Sequence, residues 1–133
     1  MTRYMLDTNI ISDLIRNPQG RAARRIAEIG EDRVCTSVIV AAELRYGCAK
    51  SGSGKLLAAV EGILEEIAVL PLEPPVDARY GAIRAELEAS GQLIGGNDML
   101  IAAHACTTGA TIISANVREF GRVSSLAVEN WLT

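Results

Sequence analysis

A chain of 133 residues with 49% hydrophobic content and a formal net charge of −3 is large enough for one sizeable core and too small for two. The small negative charge argues against a protein that coats nucleic acid, because phosphate binding usually leaves a basic surface. Acidic residues interrupt the apolar runs before they reach the roughly 20 residues of a membrane span, and no basic-then-apolar leader opens the sequence, so we expect one cytoplasmic domain over residues 1–133 with no membrane association.

The predicted elements alternate between strand and helix along the whole chain. In order, they are strand 3–6, helix 9–16, helix 20–29, strand 33–36, helix 38–49, helix 55–68, strand 69–72, helix 76–90, helix 98–108, strand 111–114, a short turn at 117–120 and strand 126–128. Thr8 or Asn9, Ser37 and Asn97 are the expected N-caps of the helices that follow them. Strands joined by helices at this rhythm predict an α/β domain of three α/β/α layers with a central parallel sheet.

Three acidic residues lie in hydrophobic surroundings. Asp7 ends the first strand, Glu43 lies inside the apolar helix 38–49, and Asp98 opens the apolar helix 98–108. A buried charge costs roughly several kcal/mol unless a partner neutralises it. No lysine or arginine is placed in the runs around Asp7 or Asp98 to do so, so a bound cation is the natural candidate.

The order of the elements predicts where these acids meet. In a parallel sheet the functional crevice lies beyond the carboxyl ends of the strands, where Asp7, Ser114 and Asn116 are found. The helices that carry Glu43 and Asp98 begin or pass near the same edge. Oxygen ligands without histidine or thiolate favour magnesium or manganese over zinc, and a metal-activated water can hydrolyse a phosphodiester. As alternatives, Asp7 and Asp98 are helix caps and Glu43 is a buried acid bonded to a backbone amide.

Four segments of the sequence resemble the motifs of PIN-domain ribonucleases and, more narrowly, of the VapC toxins of bacterial toxin–antitoxin pairs. They are residues 5–9 (MLDTN), 42–47 (AELRYG), 95–105 (GGNDMLIAAHA) and 114–120 (SANVREF). The resemblance covers essentially the whole chain. It implies a PIN-like fold and a magnesium-dependent endoribonuclease in which manganese can substitute. It also implies transfer RNA or ribosomal RNA as substrate, a homodimer, and inhibition by a small cognate antitoxin in a larger hetero-oligomer.

Carried over to this sequence, the resemblance assigns the site residues. The metal-binding acids are Asp7, Glu43 and Asp98, and the supporting polar residues are Thr8, Asn9 and Ser114. The fourth acidic position of many PIN domains is a departure, because Asn116 stands there. Its amide offers an oxygen ligand without a negative charge.

The segment after Asn116 carries the remaining candidates. Glu119 lies one helical turn further on and is a candidate for the missing carboxylate; alternatively, it is a surface acid paired with Arg118 or Arg122. These two arginines are the candidate contacts to RNA.

Two other classes of protein also place acids at the ends of strands. A phospho-acceptor signalling domain needs a lysine near the last strands, and the only lysines are Lys50 and Lys55. A PIN fold that binds RNA or protein without cleaving is the stronger rival, because of Asn116; the three intact acids argue against it. His104 is expected to be a packed or surface imidazole and not a catalytic one. Tyr46 and Trp131 are expected to pack in the core in preference to stacking on bases.

Overall fold

The computed structural model describes residues 2–133, which are built around a five-stranded sheet of order β3-β2-β1-β4-β5. The strands are β1 (Arg3–Leu6), β2 (Val34–Ser37), β3 (Ala68–Leu70), β4 (Ala110–Ile113) and β5 (Val128–Glu129). Every neighbouring pair is parallel. All residues of β2 and β4 are buried, as expected when helices cover both faces of a parallel sheet.

Helices connect the strands. In the described part of the chain they are α1 (Thr8–Arg16), α2 (Arg21–Ile29), α3 (Val38–Ser51), α4 (Gly54–Glu66), α5 (Val76–Ala89), α6 (Gly96–Thr108) and α7 (Val117–Phe120), with a 3₁₀ turn at Glu31–Arg33 before β2. The predicted three-layer α/β/α architecture with a parallel sheet is confirmed. No helix among residues 2–133 has the length and apolar character needed to cross a bilayer.

The predicted caps are partly correct. The backbone N–H of Ile39 donates to the Ser37 hydroxyl at 3.1 Å, so Ser37 caps α3 as expected. Thr8 and Asn9 do not cap α1, because that helix starts one residue earlier with Asp7 in the cap position and no side-chain cap bond. Asn97 does not cap α6 either: the helix begins at Gly96, and the extended backbone of Gly95 precedes it.

Fully buried aliphatic side chains of β1 and β4 form the centre of the core. Met5, Leu6, Ile112 and Ile113 are all 0% exposed, and residues of α6 pack beside them. The sheet that carries the candidate site is therefore held rigidly, since interiors of this kind are close-packed.

Two aromatic residues were expected to pack, with different outcomes. Trp131 is 5% exposed, and its ring centroid lies 5.2 Å from that of Tyr4, so the prediction is confirmed. The prediction for Tyr46 is wrong, because this side chain is 66% exposed. Tyr46 lies beside the exposed Arg45 on the outward face of α3, whereas Leu44 and Cys48 lie on its buried face.

Candidate active site

The candidate site lies at the carboxyl ends of β1 and β4. These strands are paired with Leu6 opposite Ile113, so Asp7 and Ser114 follow at the same level of the sheet. The backbone N–H of Asp7 donates to the Ile113 carbonyl at 2.9 Å and extends the pairing by one residue. The Ser114 hydroxyl then donates to Oδ2 of Asp7 at 2.7 Å. The sheet register therefore brings together two residues that are far apart in sequence.

Asn9 completes the support of Asp7. Its Nδ2 donates to Oδ2 of Asp7 at 3.2 Å and to the Ser114 hydroxyl at 3.3 Å, while its Oδ1 accepts the Ala115 N–H at 2.9 Å. The Asn116 N–H also donates to Ser114 at 2.9 Å. The hydroxyl of Ser114 thus uses one donor and two acceptor positions, its full capacity. The bonds from Ser114 and Asn9 to Asp7 both reach Oδ2, which holds that oxygen in place.

Glu43 is held between two helices other than its own. The Thr8 hydroxyl of α1 donates to Oε1 of Glu43 at 2.6 Å, and Nδ2 of Asn97 in α6 donates to Oε2 at 3.4 Å. Glu43 is half-buried. The alternative of a buried acid bonded to a backbone amide is therefore wrong, and Thr8 has the supporting place predicted for it.

The acids of the site act on one another. Burial raises the pKa of Asp7, and the charge of Glu43 raises it further, whereas the hydrogen bonds from Ser114 and Asn9 lower it. The pKa of Asp98 rises from 3.8 to about 6, first through burial and then through the charges of Asp7, Glu43 and Glu119. The site is therefore a concentration of negative charge.

No basic side chain offsets this charge in the described residues. The ion pairs there are Arg25 with Glu28 and Arg84 with Glu88, and neither includes an acid of the site. Crowded carboxylates without a cationic partner favour binding of a cation, because its charge offsets their mutual repulsion.

The donor set can be tested against the metal it would hold. Across residues 2–133, the His, Cys, Asp and Glu side chains form no group of three or more that could hold a metal ion. Magnesium needs fewer protein ligands, because it keeps several waters and is usually bound by one or two carboxylates together with substrate phosphates. Asp7 and Asp98, whose charges act on each other, fit such an ion.

The segment after β4 adds a further acid to the site. Glu119 is half-buried in α7, and its charge contributes to the raised pKa of Asp98. Among the described residues it forms no ion pair with Arg118 or Arg122, so the alternative of a paired surface acid is wrong. Arg118 is exposed, whereas Arg122 donates from Nη1 to the Leu93 carbonyl at 3.1 Å.

A comparison with known protein families covers most of this fold. Residues 4–126 match the PIN domain family, a stretch that contains every acid of the site. This chain belongs to the PIN-domain family. Within that family it is similar over its whole length to proteins named VapC.

The relatives narrow the family assignment. This PIN domain is 42% identical to Ribonuclease VapC2 of Haemophilus influenzae over 134 residues, covering 99% of this chain and 100% of that protein. It is 37% identical to the tRNA(fMet)-specific endonuclease VapC of Shigella flexneri over 132 residues, which cover 98% of this chain and 99% of that protein. The structure of DNA-bound VapBC from Salmonella typhimurium matches with a TM-score of 0.90 and 35% sequence identity. The match covers 98% of this chain and 99% of the chain in that structure. This PIN domain therefore belongs with the proteins named VapC.

Asn97 is the residue of the site that sequence reasoning missed. It was interpreted as a helix cap, yet its amide reaches Glu43 instead. The available signal was its position directly before Asp98, which places its side chain at the same edge of the sheet as that acid.

Proposed function

We propose that this VapC-type PIN domain is a magnesium-dependent endoribonuclease toxin that cleaves RNA with Asp7, Glu43 and Asp98 as its metal-site acids. The observation that carries the proposal is the placement of these acids at one edge of the sheet, where the charges of Asp7 and Glu43 add to burial in raising the pKa of Asp98 and no basic side chain forms an ion pair with them. Such a site favours binding of a cation, and the cation in turn would provide the chemistry.

The residues of the chain have distinct parts in this proposal. Asp7 and Asp98 would hold the ion, and Glu43 would hold it directly or through a water. When bound, magnesium or manganese supplies an activated water and neutralises charge that develops on phosphorus. Ser114 and Asn9 hold Oδ2 of Asp7 in place, and Thr8 does the same for Oε1 of Glu43.

A transfer RNA is the proposed substrate, with ribosomal RNA as the other candidate. A relative with 37% identity over nearly the whole chain is named as a tRNA-specific endonuclease, which supports the first. Arg118 is the proposed phosphate contact because it is exposed, whereas Arg122 is already bonded to the Leu93 backbone.

A cognate antitoxin is the proposed inhibitor, because solved relatives are VapBC complexes. A cavity of about 370 Å³ next to the acids offers it an apolar floor. It is lined by Thr8, Ser12, Ile15, Arg16, Glu43, Leu44, Gly47, Leu56 and Val60. An amphipathic helix is a common occupant of such grooves.

A homodimer remains a prediction, which light scattering at micromolar concentration tests directly.

The decisive experiment measures cleavage of purified transfer and ribosomal RNA with magnesium, with manganese and with a chelator. We expect cleavage that requires the metal and disappears in Asp7→Asn. RNA binding without cleavage under all three conditions would contradict the proposal and identify a non-catalytic binding module.

A further inference from the structure

The only histidine of the chain lies in the core, away from the acids. His104 of α6 is 1% exposed, and its Nδ1 lies 2.8 Å from the hydroxyl oxygen of Ser37, which is 0% exposed. Of the two positions left open for this imidazole by the sequence, packed or at the surface, the structure has the packed one. Its polar contact, however, joins α6, which carries Asp98, to Ser37, the last residue of β2 and the N-cap of α3, which carries Glu43.

The hydrogen bonds around Ser37 define the form of the imidazole. The Ser37 oxygen accepts the Ile39 N–H at 3.1 Å, which leaves its proton and one further acceptor position for the ring. Burial lowers the pKa of His104 and favours the neutral ring, whereas a hydrogen bond to the Pro71 backbone raises that pKa. Proline has no backbone N–H, so the ring donates in that bond; with Nδ1 facing Ser37, the donor is Nε2–H, and Nδ1 of the neutral ring accepts the Ser37 proton.

The helices α3 and α6 have two polar links, which differ in strength. At the site, the bond from Asn97 to Glu43 is exposed and long, at 3.4 Å. In the core, the bond between Ser37 and His104 is buried and short, at 2.8 Å. Buried hydrogen bonds fix geometry more strongly, because the alternative of bonding to water is absent.

We propose that His104 is a positioning residue, whose bond to Ser37 sets the placement of α3 against α6 and thus of Glu43 against Asp98. The inference rests on the proposed function of those two acids. Ser37 lies at the start of the helix that carries Glu43, and His104 lies on the helix that Asp98 opens. A shift at this link therefore moves one acid relative to the other.

Two substitutions separate this role from simple packing. His104→Asn keeps an oxygen at the place of Nδ1, which can accept the Ser37 proton, but it is too short to reach Pro71. His104→Gln places its amide at the position of Nε2, within reach of Pro71, and leaves no acceptor for Ser37. Both variants lose the ring, so a packing role predicts similar defects in the two.

Manganese titration by calorimetry and RNA cleavage at saturating metal provide the functional readouts. For His104→Gln we expect about tenfold weaker manganese binding and about tenfold lower kcat with unchanged KM for RNA, the usual size of effects from residues that orient metal ligands. For His104→Asn we expect both values within about twofold of wild type. Equal losses in the two variants, or no loss in either, would overturn the positioning role.

Amide hydrogen exchange gives a readout independent of metal and activity. In His104→Gln, the first turn of α3 should exchange faster than in His104→Asn, while the exchange of β1 and β4 should be the same in both. The nitrogen NMR signals of wild-type His104 should show a protonated Nε2 and an unprotonated Nδ1. If the wild type gives these exchange and NMR results but does not cleave RNA, the ribonuclease proposal alone is overturned. If the exchange and NMR results are not observed, the coupling between the two helices is overturned.

Discussion

Asp7 and Asp98 belong to one site but lie in different surroundings. Asp7 is 5% exposed, and its carboxylate is bonded to Ser114 and Asn9. Asp98 is half-buried, and its pKa is raised first by burial and then by the charges of three other acids. We call Asp7, Asn9 and Ser114 the ordered half of the site, and Asp98, Glu43 and Glu119 the charged half.

The difference between the halves indicates a division of labour. Hydrogen bonds hold the ordered half in place before any ligand arrives, so little ordering cost remains for binding. The charged half is destabilised by its own repulsion, which only a cation or protons can relieve. In the proposed function, one half would provide geometry, and the other would provide the electrostatic affinity for metal.

The largest expected effect is the loss of either carboxylate. Asp7→Asn and Asp98→Asn each remove a charge required by the metal while keeping the shape, so RNA cleavage should fall by more than about a hundredfold. Toxicity on expression without antitoxin should vanish, and circular dichroism should show intact folding. The exposed acid Asp77 gives the matched control: Asp77→Asn should behave as wild type. Equal toxicity of all four proteins would contradict the metal-site assignment.

A second pair of variants tests the difference in rigidity. Ser114→Ala removes the 2.7 Å bond to buried Asp7, and such bonds to charged groups contribute about 2 kcal/mol. Asn97→Ala removes only the exposed 3.4 Å bond to Glu43, and should cost less than about 0.5 kcal/mol. Urea unfolding in the absence of metal measures both free energies. Similar values for the two variants would show that the halves are equally ordered.

A third test increases or reduces the negative charge. Asn116→Asp adds a carboxylate at the position where many PIN domains have one, and should tighten manganese binding by about tenfold. Glu119→Gln should weaken it by a similar factor if Glu119 is a ligand, since its charge already acts on Asp98. Calorimetric titration compares the three proteins. Unchanged affinity in both variants would leave Asp7, Glu43 and Asp98 as the whole site.

The smallest expected effect is a pH dependence of the metal-free protein. The pKa of Asp98 is about 6 in the folded state and near 3.9 in an unfolded chain. Between these values the folded state holds more protons, so its stability falls as the pH rises through this window. From pH 4 to pH 7, the free energy of unfolding of the wild type should fall by about 1 kcal/mol more than that of Asp98→Asn. Partial exposure of the Asp98 carboxyl limits this difference. A parallel pH profile for the two proteins would contradict the raised pKa.

The sequence predicted the layers of the fold because their signals are local. Alternating strand and helix patterns, and the positions of Asp7 and Ser114 just after β1 and β4, require only short-range periodicity. The cap at Ser37 was predicted for the same reason. Boundaries shifted where two signals competed, as at Asn97, where the backbone of Gly95 already provides the start of α6.

By itself, the sequence determined the parallel α/β architecture, which follows from the order and spacing of the elements, and it supplied the acids as candidates for a site. The tertiary structure alone decided which groups bond to them. The sheet register brought Ser114 to Asp7, the packing of α1 and α6 brought Thr8 and Asn97 to Glu43, and that of α3 and α6 brought His104 to Ser37. These partners are distant in the chain, and a side chain's hydrogen-bond partner depends on three-dimensional packing, which local patterns do not encode.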